Sequence, residues 1–191
     1  MDWYIPKQSE RIIFINKNTN RSVKPYTPQY SSLKKTKNMQ NIKIIPFSPE
    51  YQADFKRLNI EWIEKYFVVE PHDIEQLDFP QDFILKNGGE ILFAMLDEEI
   101  VGTVGMAYLD ESSFELAKMA VSPKHHGKRI GLLLGEAALD FAHRKGAKRV
   151  WLESNRILTP AITMYHKLGF REVEFLPTPY SRSNIQMEIL I

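Results

Sequence analysis

Between Val121 and Leu132 the chain reads SPKHHGKRIG, and this short run holds the densest group of residues able to do chemistry. It lies between a strand pattern and a helix pattern, with glycines at 127 and 131. Several backbone N–H groups can therefore turn into one concavity at a positive helix end, a general solution for binding pyrophosphate. Lys128 and Arg129 add positive charge. Glycines after a strand also serve as a simple turn, so the loop alone leaves both readings open. His125 and His126 are adjacent and point differently, and no further ligand stands at metal-binding spacing beside them, so no metal site is expected. The chain contains no cysteine, which removes thiol nucleophiles, disulfides and thiolate-held metals from its chemistry.

The elements that must position this loop follow from periodicity. From Asn41, NIKIIPF reads as a strand, and Ser48-Pro49-Glu50 opens a helix with a cap and a first-turn proline. Phe55, Leu58, Trp62 and Tyr66 follow at spacings of three and four, the mark of an amphipathic helix. Gly88 and Gly89 form a turn before the strand EILFAMLD, which Glu98 and Glu99 separate from IVGTVGMAYLD, a hairpin signal. The next strand, FELAKMAV, alternates Glu115, Ala117, Met119 and Val121 on one face with Leu116, Lys118 and Ala120 on the other. A helix over 129–145 presents Ile130, Leu133, Leu134, Ala137, Ala138 and Phe141 on one side. It ends in His143, Arg144 and Lys145 before Gly146, which suits its negative end. Strand RVWLES, a helix over 159–168 closed by Gly169, and strands FREVEF and NIQMEILI complete the chain.

The segment from Phe114 to Phe170 resembles the acetyl-coenzyme A core of the GCN5-related N-acetyltransferases (GNAT). That family carries Gln or Arg, two variable residues, Gly, one variable residue, then Gly or Ala. Here the matching stretch is His126, Gly127, Lys128, Arg129, Ile130 and Gly131, with Leu132 next in the helix. His126 stands where Gln or Arg is usual and Arg129 where the middle Gly is usual; backbone donation survives if Arg129 keeps a negative φ. The resemblance implies an α/β fold with a central mixed, mostly antiparallel sheet of about six or seven strands, flanked by about four helices. It also implies acetyl-coenzyme A as acyl-donor co-substrate and direct transfer to a primary amine, with no covalent enzyme intermediate.

By position within that resemblance, Met119 and Val121, flanking Ala120, offer backbone amides to the thioester carbonyl and the pantetheine arm. An amide aimed at a developing oxyanion stabilises the transition state more than the ground state. Glu115 falls where one branch of the family has its general base. An amine protonated at pH 7 must lose a proton before it attacks, directly to a carboxylate or through one water. Tyr165, in AITMYHKLGF, matches the residue that protonates the departing thiolate, which a phenol of ordinary pKa about 10 can do at neutral pH. Asn155 matches a contact to the coenzyme arm. The competing readings are an exposed strand carboxylate for Glu115, a ring packed on Phe170 for Tyr165 and a helix cap for Asn155.

At 191 residues and 43% hydrophobic content the chain suits one catalytic domain, expected over 41–191. Residues 1–40 read as a basic, polar extension, and the first 38 carry eight Lys or Arg against Asp2 and Glu10. Only RIIFI, at 11–15, could form a strand there, and Met39 stands just before the first regular strand, which suggests a start of translation at that point. No signal peptide or membrane span is evident, so a cytoplasmic protein without a membrane partner is expected. Nucleic acid is disfavoured as a partner, although a basic arm is the feature that would bind it. A homodimer stays open. On the acceptor side, residues 61–82 interleave Glu61, Glu64, Glu70, Asp73, Glu75, Asp78 and Asp82 with Trp62, Tyr66, Phe67 and Phe79. Such a wall would favour a small cationic amine, or a lysine or peptide amine, as acceptor. The alternative from another class is a sensor that binds acyl-coenzyme A without turning it over.

Overall fold

The computed structural model describes residues 42–191. The expectations for the basic extension, the strand at 11–15 and the start at Met39 lie outside these described residues. One seven-stranded sheet organises the rest, in the order β1-β2-β3-β4-β5-β7-β6. Its strands are β1 (Ile42–Pro46), β2 (Glu90–Leu96), β3 (Glu99–Asp110), β4 (Ser113–Val121), β5 (Arg149–Ser154), β6 (Arg171–Val173) and β7 (Ile185–Leu190). Every neighbouring pair is antiparallel except β4 and β5. That parallel pair needs a crossover, and the helix α3 (Ile130–Arg144) supplies it. Helices α1 (Gln52–Tyr66) and α2 (Pro71–Asp78) cover one face; α3 and α4 (Thr159–Leu168) cover the other. The mixed, mostly antiparallel α/β architecture agrees with the expected fold class. Among the described residues no helix is long and apolar enough to cross a membrane.

Apolar residues on the two sheet faces make two cores. Phe114, Leu116, Leu134, Ala138, Leu152 and Met187 close the core under α3, while Phe55, Leu58, Leu77, Ile91 and Phe93 close the one under α1 and α2. The β2–β3 turn is Asp97–Glu98, both with positive φ (47° and 67°), and Glu99 is already in β3 opposite Leu96. Two left-handed residues give the hairpin a twist that matches its strands. Ser48 makes no cap bond to the first helical turn. Its hydroxyl donates instead to Glu50 at 3.1 Å, and a 3-10 turn at Pro49–Tyr51 precedes α1. Helix α2 had no periodic signal, because it is only eight residues long; it is entered through Glu70 and Pro71.

Gly89 permits an approach that no other residue would. A Cβ there would lie 1.8 Å from the Ile84 carbonyl oxygen and 2.5 Å from that of Met106, both backbone atoms. Gly89→Ala is expected to destabilise the fold by about 3 kcal/mol, the upper range for overpacking, lowering the melting temperature by roughly 10 °C. An unchanged melting temperature would show that the turn yields freely.

Candidate active site

The site begins where two strands part. β4 and β5 pair over Ser113↔Arg149, Phe114↔Val150 and Glu115↔Trp151, and the remaining residues of β4 have no partner on β5. A wedge opens between Leu116–Val121 and the end of β5, and a cavity of about 890 Å³ fills it. All the residues expected at the site line this cavity except Lys128. Glu115, Met119, Ala120, Val121, His126, Gly127, Arg129, Ile130, Gly131, Leu132, Asn155 and Tyr165 thus share one wall. Lys128 turns aside and its Nζ lies 3.2 Å from Nδ1 of His125.

The alternation read for β4 does not survive intact. Lys118 has φ +50°, and the register against β3 shifts between Thr103 and Gly105. This bulge flips the strand, so that Phe114 and Leu116 before it face the α3 core together with Met119 and Val121 after it. Glu115 and Ala117 therefore do not share a face with Met119 and Val121. The bulge also turns the Lys118 side chain toward α2, where Nζ donates to Asp73 at 3.0 Å and to the Tyr180 hydroxyl at 2.9 Å.

The loop before α3 needs two left-handed residues, Gly127 (φ +79°) and Arg129 (φ +62°). The expectation of a negative φ at Arg129 is therefore wrong: the position takes the left-handed conformation that glycine adopts most readily, and an arginine carries the strain. His126 secures the loop, its ring Nε2 donating to the Val121 carbonyl at 3.0 Å. Gly131 has a packing role, since a Cβ there would lie 3.1 Å from Sδ of Met164 on α4. Arg129→Gly is expected to raise stability by about 1 kcal/mol through release of the left-handed conformation. Thermal melting checks this, and a lower midpoint would mean that the guanidinium contributes more than the strain costs.

Tyr165, on α4, is 7% exposed, and burial pushes its phenol up to about 12. It keeps its proton throughout the neutral range. Its ring meets Phe170 edge-on, with centroids 5.9 Å apart. Packing and a position on the cavity wall thus coexist in one residue. Glu115 is buried at 8% exposure. Asn155 accepts a bond from the Ile157 amide at 2.9 Å and donates to the Arg182 carbonyl at 2.5 Å, so its side chain braces the turn after β5.

The wall expected to face an acceptor is built differently from the acidic run that the sequence suggested. Trp62 and Phe67 line the cavity, but none of the acidic residues between 61 and 82 does. Asp73 is fully buried and holds two cations: Lys118, and Arg182 through a fork at 2.7 and 2.8 Å. Burial pushes the Asp73 carboxyl up, but the bonds from Arg182 and Lys118 outweigh it and hold it below the usual range. For Lys118 burial wins and lowers the ammonium, because it shares one carboxylate with Arg182 and feels that like charge. Tyr180 lies beneath the guanidinium of Arg182, 4.6 Å from its ring centre, and donates its hydroxyl to Gln76 at 3.0 Å. Lys118, Glu153, Tyr180 and Arg182 all line the cavity, and sequence reasoning named none of them as a site residue. Charged residues inside the strand patterns FELAKMAV and RVWLES, Lys118 and Glu153, were the available signals.

Residues 55–170 match the family model described as "Acetyltransferase (GNAT) family". The chain belongs to this family. A relative from Xenopus tropicalis, named "Probable N-acetyltransferase camello", is 30% identical over 108 residues, covering 54% of this chain and 49% of its own. The chain spans about half the length of the curated relatives of this kind that it matches first. Among solved structures, a GNAT-family acetyltransferase from Staphylococcus aureus superposes with a TM-score of 0.72 at 22% identity, covering 78% of this chain and 98% of the other. The PaiA N-acetyltransferase of Thermoplasma acidophilum, solved with coenzyme A, gives 0.61 at 19% identity, covering 80% and 100%. At these identities the GNAT fold is what is shared.

Proposed function

We propose that the chain transfers an acetyl group from acetyl-coenzyme A to a primary amine. The observation that carries this is the cavity in the β4–β5 wedge, which joins the α3 N-terminus to Glu115 and Tyr165 in one space. The start of α3 suits the coenzyme's phosphates: the helix end is positive, and the left-handed pair Gly127 and Arg129 turns backbone N–H groups into a nest. A fold neighbour that binds coenzyme A supports the same reading.

Bound there, acetyl-coenzyme A supplies the activated acyl group. The freed edge of β4 offers backbone amides at Met119 and Val121 to the carbonyl and the arm. Glu115 takes the proton that the acceptor must shed, directly or through a water. Tyr165 holds a proton at every pH near neutral and gives it to the departing sulfur. The incoming amine enters between Trp62, Phe67 and the Tyr180–Arg182 segment. Free-thiol release from acetyl-coenzyme A across a panel of primary amines tests this. Release with some amines and none with matched alcohols is expected. Tight acetyl-coenzyme A binding with no release across the panel would support the sensor instead.

A further inference from the structure

Glu153 occupies an unusual position. It lies on β5, within the cavity wall, yet both of its carboxylate oxygens are buried and have no hydrogen-bond partner among the described residues. A buried carboxylate without donors is costly, so a donor must come from somewhere.

None of the surrounding side chains places a donor on it, and the bonds they do make point elsewhere. Gln186, directly opposite on β7, gives its amide to the Leu176 carbonyl at 2.9 Å. Tyr180 donates to Gln76, Asn155 donates to the Arg182 carbonyl, and Lys118 and Arg182 are both spent on Asp73. Glu153 is near enough to Tyr180 for its charge to help push that phenol upward, behind the larger effect of burial. In the strand register, Glu115 stands opposite Trp151, two residues before Glu153. Alternation puts Glu153 on the same sheet face as Glu115, on the acceptor side.

We propose that Glu153 receives a second ammonium group of the acceptor, away from the amine that is acetylated, which makes it the residue that selects for a cationic alkylamine. This rests on the acyl-transfer reading of the site. The missing donor is the substrate's own N–H, the charge is complementary, and Trp62 and Phe67 flank the entering alkyl chain. An acceptor with a carboxylate in place of a second ammonium meets Glu153 as a like charge.

Calorimetry measures this without turnover. Binding of 1,4-diaminobutane and of 4-aminobutyrate is compared in the native chain and in Glu153→Gln, with and without coenzyme A. The native chain should bind the diamine more tightly, and Glu153→Gln should weaken the diamine by about ten- to a hundredfold, the range for a lost bond to a charged group. Coenzyme A affinity should not change, and the melting temperature should not fall, because the variant removes a buried charge. Equal diamine affinity in the two proteins, or no preference for the diamine in the native chain, overturns the proposal. A failure of the acyl-transfer reading shows separately, as absent thiol release whatever the diamine affinity.

Discussion

Tyr165→Phe is expected to lower kcat for N-acetylation by about a hundred- to a thousandfold, within the range for a lost general acid, while leaving acetyl-coenzyme A affinity within about twofold. The substitution removes only the hydroxyl. The ring that packs edge-on to Phe170 stays, so α4 and its core should keep their stability. The pH profile adds a second reading. Because burial raises the phenol to about 12, Tyr165 stays protonated below that pH, and the native chain should show no alkaline loss of the proposed activity from this group up to pH 9. A Phe variant that keeps native kcat would remove Tyr165 from the chemistry and leave it a packing residue.

Asp73→Ala is expected to cost about 3–5 kcal/mol of stability, the range for stranding buried charges, which lowers the melting temperature by roughly 10 °C or more. One fully buried carboxylate holds both Lys118, on β4, and Arg182, in the turn before β7, and Glu70 stands 3.5 Å from Arg182 as a second acid. Without it Lys118 loses its ion pair and Arg182 keeps only Glu70 among the described residues. Removing the cations as well, by Lys118→Met and Arg182→Met in the same protein, should recover part of the loss, because the penalty lies in unpaired charge. The same carboxylate makes stability pH-dependent. Its folded pKa is lowered, so its contribution is complete above the ordinary carboxylate pKa of about 4 and is lost as pH falls toward the lower folded value. Acid unfolding should therefore begin at higher pH in Asp73→Asn. A variant as stable as the native chain at neutral pH would mean that water already serves the two cations.

The donor half of the site was legible because its signals are local. The glycines at 127, 146 and 169 all take left-handed conformations at loop or helix ends, and the strand, loop, helix order between Phe114 and Phe170 is continuous in the chain. The acceptor half has no such continuity. Arg182 and Asp73 are 109 residues apart, and no spacing rule connects them. The acidic run at 61–82 misled for the same reason: composition shows charges but not their partners, and Asp73 proved to be spent on an internal pair. The bulge at Lys118 was hidden because a non-glycine residue there holds a positive φ, where the pattern reads as plain alternation. Arg129 conceals its conformation in the same way.

The proposed activity is catalytic acyl transfer in the β4–β5 wedge. The most direct test follows coenzyme A thiol and N-acetylated product together, with the native chain, acetyl-coenzyme A and 1,4-diaminobutane. The two products should appear in equal amounts over many turnovers, with the mass of the protein unchanged throughout. Acetyl-coenzyme A that binds and stays intact, or thiol released with the acetyl group left on the protein, would contradict the account.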